Sequence, residues 1–163
     1  MVLPVPQGAE KAIQALLRGQ LALSSYGTAC EARAGCEQMM RTPLVSIIVP
    51  AYNTGRYIGE MLECCRVQTW TNIEVIIVDD GSTDETARVA ESYCESDARF
   101  HLSKQPNRGV SAARNNGLGF IRGEKILFLD SDDTFEPTLV EKCLETLGGT
   151  GAEAVLYGYA DGT

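Results

Sequence analysis

The sequence predicts an α/β fold, a mostly parallel sheet with helices on both faces. Two observations predict it. Short apolar runs recur at Leu44 to Val49, Ile73 to Val78 and Lys125 to Leu129, and they read as strands covered on both sides. Stretches of helical length and period stand between them, the alternation that makes crossover connections and hence parallel pairing.

The elements follow in order. Residues 1–42 form an N-terminal extension, partly helical. Ala9 to Leu23 spaces Ile13, Leu16, Leu17 and Leu21 at helical intervals, and Ser24 to Gly35 has no period. Met39 and Met40 stand just before the first strong strand and offer an alternative start. An appended extension and a packed N-terminal helix both stay open. Residues 43–163 carry the regular pattern. Leu44 to Val49 is a strand, Tyr57 to Arg66 a helix and Ile73 to Val78 a strand. Ser82 and Glu85 make a capping-box pattern that opens a helix running to about Tyr93. Phe100 to Ser103 is a short strand, and Ser111 to Ile121 a helix that Ser111 caps. Lys125 to Leu129 is a strand, and Pro137 to Leu147 a helix with proline in its first turn. Ala152 to Tyr157 reads as a last strand. There is no internal repeat and no low-complexity tract.

The bulk numbers narrow the function classes. A chain of 163 residues suits one domain, and 44% hydrophobic residues is enough for a packed core. A formal charge of -8 repels nucleic acid and anionic lipid, and it suits a protein that recruits a divalent cation to phosphate. Six cysteines include no CxxC pair and there is a single histidine, which argues against zinc. Cys64, Cys65, Cys94 and Cys143 fall in predicted helices as small buried thiols, and a reducing, cytoplasmic setting is expected. No apolar run is long enough to span a bilayer, and the N-terminus lacks the pattern of a signal peptide.

In parallel sheets ligands bind outside the carboxyl ends of the strands. Three clusters stand there: Pro50-Ala51-Tyr52-Asn53, Asp79-Asp80-Gly81-Ser82 and Asp130-Ser131-Asp132-Asp133. Three carboxylates in the last cluster repel one another unless positive charge lies between them. A hard divalent cation with oxygen ligands answers that need. A plain helix N-terminus is the bland reading of the same residues. Asp80 at a strand end can accept a hydrogen bond from a base N–H, and Tyr52 can stack on a base or simply pack. Asp84 and Ser82 are explained as caps. Asn107-Arg108-Gly109 leads into a helix whose first N–H groups suit an anion, with Arg114 one turn in. A surface salt bridge is the bland role for Arg114. His101 stands alone and reads as structural.

The order and spacing of these motifs are more specific than any one of them. Val45-Ser46-Ile47-Ile48-Val49-Pro50-Ala51-Tyr52-Asn53 is followed by Gln68-Thr69, Val78-Asp79-Asp80-Gly81-Ser82, Asn107-Arg108-Gly109, Ala113-Arg114-Asn115 and Leu129-Asp130-Ser131-Asp132-Asp133. From Pro43 onward the chain resembles the family 2 glycosyltransferases. The resemblance implies the nucleotide-sugar-binding part of a GT-A-type, Rossmann-like sheet, incomplete at its C-terminus. It implies inverting transfer from a nucleoside-diphosphate sugar, UDP by default, to an acceptor hydroxyl. The implied roles are specific. Tyr52 lies against the base, and Pro50 and Ala51 shape its pocket. Asp80 accepts from the base, Asp130 and Ser131 face the ribose or sugar, and Arg114 contacts the nucleotide or donor sugar. Asp132, with Asp130 beside it, holds Mg2+ or Mn2+ on the diphosphate. The acceptor is expected to be a carbohydrate or a lipid-linked glycan, in polysaccharide or glycolipid synthesis at the inner face of the cell membrane.

One departure stands out. The family's general base is a carboxylate downstream, in the acceptor half, and nothing in Thr134 to Thr163 matches it; Glu153 and Asp161 are the available acids. A base is worth about 100- to 10,000-fold in rate. A truncated, non-catalytic donor-binding module is therefore a second expectation. A third is a phosphatase resembling the haloacid dehalogenases, with Asp130 as nucleophile and Asp132 as acid/base. That family needs a downstream lysine, and Lys142 is the one available.

Overall fold

The computed structural model describes residues 42–150 and 152–157. Two compact units divide the chain at Arg41/Thr42, and the N-terminal extension with its predicted helix lies outside the described residues. The elements are β1 (Val45–Ala51), α1 (Ile58–Arg66), β2 (Ile73–Asp79), α2 (Thr86–Ser96), β3 (Phe100–Lys104), α3 (Val110–Leu118), β4 (Lys125–Phe128) and α4 (Leu139–Thr150).

The four strands pair in the order β3-β2-β1-β4, and every pairing is parallel. Alternation along a strand sends successive side chains to opposite faces. Val45, Ile47, Val49 and Ala51 join Ile73, Val75 and Ile77 on one face, packed with Ile58, Met61, Leu62 and Cys65 of α1 and Ala90 of α2. Ile76 and Val78 face the other way, against Ala113 of α3. Because β1 and β2 are buried on both faces, their sequences are apolar without interruption. Gly117 lets α3 come down onto β1: a Cβ there would lie 2.6 Å from Ile48 Cγ2.

The second face also holds a polar lock. Ser46 and Glu74 are register partners and both are buried. Glu74 accepts from Ser46 Oγ (2.6 Å), Arg122 N (2.6 Å) and Arg122 Nε (2.7 Å), and Gly123 N donates to Ser46 Oγ at 2.9 Å. The turn from α3 into β4 is thereby fastened to the two central strands.

Several expectations are corrected. Ser82 and Glu85 make no capping box. Glu85 stands at the N-cap of α2 with its side chain on Arg88 and no side-chain capping bond, and Asp84 takes the capping role by accepting from Thr86 N at 3.0 Å. Ser111 lies inside α3, which begins after Gly109, because Gly109 with φ 87° supplies the break. Pro137 precedes α4 rather than opening it. Gln68 sets that start, accepting from Val140 N (3.1 Å) while donating to Glu136 O (2.9 Å). No strand forms over 152–157. An apolar run becomes a strand where it can pair and bury, and Leu156 is 98% exposed. Of the helical cysteines only Cys65 is buried; Cys64, Cys94 and Cys143 are half-buried, and all four are free thiols.

Candidate functional site: a cleft at the switch point of the sheet

The chain goes from β1 outward to β2 and β3, then returns to place β4 on the other side of β1. Connections on the two sides leave in opposite directions, which opens a crevice at the carboxyl ends of β1 and β4. Pro50 helps to open it. Leu129 N donates to Ile48 O at 3.1 Å, so the polar groups of Ile48, and by alternation those of Pro50, face β4. The β1–β4 register ends at Ile48 and Phe128, and Pro50 has no N–H with which to continue it.

A cavity of about 540 Å3 occupies this crevice. Pro50, Ala51, Tyr52, Asp80, Arg114, Asp130, Ser131 and Asp132 all line it, together with Thr54 and the start of α3. Every residue expected at the site is thus brought to one place, from three strand ends and one helix. Ala51 and Ser131 are buried, Tyr52 is 48% exposed and Asp132 is exposed. Tyr52 therefore presents ring surface to the cavity rather than packing in the core.

The loops are held by their own polar groups. Asn53, at φ 52°, donates its N–H to Ser82 Oγ (3.0 Å) and accepts from Thr83 N (2.9 Å). Asp84 accepts from Gly55 N at 2.9 Å. The loop after β1 is in this way fastened to the loop after β2. Ser82 and Asp84, read from sequence as caps, are part of this fastening.

Asp80 is 3% exposed and accepts three hydrogen bonds: Gln105 Nε2 (2.7 Å) and Arg108 N (2.9 Å) on Oδ1, and Gly109 N (2.7 Å) on Oδ2. Burial acts to raise its pKa. The hydrogen bonds from Gln105, Arg108 and Gly109 outweigh it and hold the carboxyl below its ordinary value. Asp80 is an anion here, fixed against the N-terminal approach to α3. Gln105 in turn accepts from Asn116 Nδ2 at 2.6 Å. Sequence reading assigned nothing to Gln105 or Asn116, and no local signal marks them.

Arg114 Nη2 bonds Asp130 Oδ1 at 2.6 Å, with both side chains partly exposed at the cavity. This is part of the positive charge that the acidic cluster required, and it comes from α3. The bland role for Arg114, a salt bridge, is thus met by a partner that is itself a site residue. Among the described residues no three His, Cys, Asp or Glu side chains converge to hold a metal. His101 lies away from the cleft, 3.1 Å from Arg122. Lys142 pairs with Glu136 on the approach to α4. Glu153 lines a depression along β4 that adjoins the cleft and shares Arg114 and Asp130 with it, and Asp161 is outside the described residues.

The family described as Glycosyl transferase family 2 matches residues 46–161. The chain belongs to this family. The family 2 chain is 44% identical over 107 residues to the chondroitin synthase of Escherichia coli, covering 66% of itself and 16% of that protein. Among solved structures it resembles S. aureus TarS 1-349 in complex with UDP-GlcNAc, with a TM-score of 0.56 and 33% identity over 64% of this chain and 31% of that one. It also resembles the mannosyltransferase PcManGT from Pyrobaculum calidifontis in complex with GDP-Man and Mn2+, with a TM-score of 0.53 and 30% identity over 59% of this chain and 29% of the other. The sheet is that of the GT-A glycosyltransferases, and the chain spans under a third of the length of these relatives.

Proposed function

We propose that this chain forms the donor site of a metal-assisted glycosyl transfer and binds a nucleoside-diphosphate sugar, with UDP the favoured nucleotide. The observation that carries the reading is the convergence of Tyr52, Asp80, Arg114, Asp130 and Asp132 on one cavity at the switch point of a parallel sheet. Tyr52 stacks on the base between the walls made by Pro50 and Ala51. Asp80 accepts a base N–H. Asp130 and Ser131 face the ribose or sugar, and Arg114 holds Asp130 while its remaining donors address the nucleotide or donor sugar.

The donor set fits Mg2+ or Mn2+. Such ions take one or two protein carboxylates and complete their shell with phosphate and water, so a cluster of three acids is not required. Asp132 is exposed at the cavity and free of polar partners among the described residues, which makes it the ligand. Asp130 is already balanced by Arg114 and serves as the nearby second charge. When bound, the ion stabilises charge growing on the departing diphosphate. Asp132 anchors the diphosphate end, Asp80 and Tyr52 anchor the base, and together they hold the anomeric carbon for in-line attack by an acceptor hydroxyl, with inversion. The acceptor is a glycan or lipid-linked hydroxyl, met at the cytoplasmic face of the membrane. The likeness to chondroitin synthase supports a polysaccharide product. The general base is unassigned.

Calorimetric titration with UDP, with and without Mn2+, on the wild type and Asp132→Ala tests the reading. UDP binding strengthened by Mn2+, with that gain lost in Asp132→Ala, is the expected result. Equal binding with and without the ion overturns the metal role. No binding overturns the donor site, and turnover of p-nitrophenyl phosphate by the same protein would revive the phosphatase reading.

A further inference from the structure

The number of acceptor positions left on Asp80 has a consequence for which base the cleft takes. A carboxylate offers roughly four lone-pair positions, two on each oxygen. Gln105 Nε2 and Arg108 N occupy Oδ1, and Gly109 N occupies one position on Oδ2. One position remains, on Oδ2. Gln105 does not hold this arrangement alone, because Asn116 Nδ2 donates to its Oε1 at 2.6 Å and fixes which end of the amide faces Asp80. Two of the three bonds come from backbone N–H groups that the loop cannot rotate away. Among the described residues Gln105 supplies the one side-chain donor to Asp80.

From this geometry we infer that Gln105, oriented by Asn116, determines base specificity by leaving Asp80 a single open acceptor. Guanine presents N1–H and N2–H2 side by side and pairs with a carboxylate through both oxygens. The occupied Oδ1 denies it the second bond and leaves a buried donor unmet, which is the costly outcome for a polar group. Uracil donates one N–H, N3–H, between two carbonyls, and one acceptor satisfies it. Gln105 is a positioning residue. It does not line the cavity, and it acts through Asp80. The inference rests on the donor-site reading above.

The experiment measures Kd for UDP and for GDP, each with Mn2+, by calorimetry on the wild type, Gln105→Ala and Asn116→Ala. The wild type is expected to favour UDP. Gln105→Ala opens Oδ1, and the preference for UDP over GDP is expected to fall roughly tenfold, about 1.4 kcal/mol. Asn116→Ala frees the Gln105 amide to turn, and a smaller fall in the same ratio is expected. The ratio is the readout that a merely structural role would not move, since a loosened fold weakens both nucleotides together. Thermal unfolding of each variant identifies one that does not fold, and Asn116→Ala then carries the test if Gln105→Ala fails. A wild type that prefers GDP, or a ratio unchanged in the folded variants, overturns the inference and leaves the donor site standing. A wild type that binds neither nucleotide overturns the donor site itself.

Discussion

Replacing Glu74 with alanine tests the polar lock beneath α3. The carboxylate accepts from Ser46, from the backbone and guanidinium of Arg122, and more distantly from Gly123 N at 3.2 Å, and it is 2% exposed. Removing one partner of a buried charged pair costs about 3–5 kcal/mol. The Arg122 side chain is 66% exposed, so water recovers part of that loss, and the expectation settles at about 3 kcal/mol. For a domain of this size about 4 °C of Tm accompanies each kcal/mol, so Glu74→Ala is expected to unfold about 12 °C lower. Glu74→Gln adds a pH test. Burial acts to raise the Glu74 pKa, but hydrogen bonds from Ser46 and Arg122 outweigh it and leave the carboxyl below its ordinary 4.5. A folded-state pKa below the unfolded one contributes stability that is present above 4.5 and lost as pH falls through the lower, folded value. The stability gap between wild type and Glu74→Gln should therefore be full near neutrality and shrink in acid below 4.5. Urea unfolding at several pH values reads both effects. A Glu74→Ala protein within about 0.5 kcal/mol of wild type, the ordinary range for a surface change, would refute the lock. A gap that does not change with pH would refute the ionised carboxylate.

Two further tests address how the site is held. Gly117→Ala places a methyl 2.6 Å from Ile48 Cγ2, and overpacking of this kind is expected to cost about 1–3 kcal/mol in chemical denaturation, with the clash itself removed in a Gly117→Ala/Ile48→Ala double variant that lacks Cγ2. Full stability of Gly117→Ala would mean that α3 does not rest this closely on β1. Asp84→Ala removes the acceptor shared by Thr86 N and Gly55 N and is expected to cost about 1 kcal/mol, the usual worth of a helix cap. Proteolysis should then cut first in the loop after β1; unchanged susceptibility would show that the bonds of Asn53 to Ser82 and Thr83 and of Thr54 N to Thr86 Oγ1 suffice to hold that loop.

The sequence by itself determined the fold class, the order of strands and helices as far as α4, and several of the residues that meet at the cleft. It could do so because a strand covered on both faces must be apolar throughout, as β1 and β2 are, and because parallel pairing sends every strand's carboxyl end to the same edge. Pro50, Asp80 and Asp130 followed from that rule before any contact was known. Local signals failed where a competing partner came from far along the chain. The capping box at Ser82 gave way because the Ser82 hydroxyl accepts from Asn53, 29 residues earlier. The start of α4 moved past Pro137 because Gln68, 72 residues before Val140, supplies the acceptor. The strand expected over 152–157 did not form, since apolar character alone supplies no partner. Only the tertiary structure decided how charge is distributed within the cleft. It paired Arg114 with Asp130, left Asp132 free of partners among the described residues, and enclosed Asp80 between Gln105 and the approach to α3. Those pairings depend on β4 lying beside β1 rather than beyond β3, and that crossing is set by packing across the sheet, which no local pattern in the chain encodes.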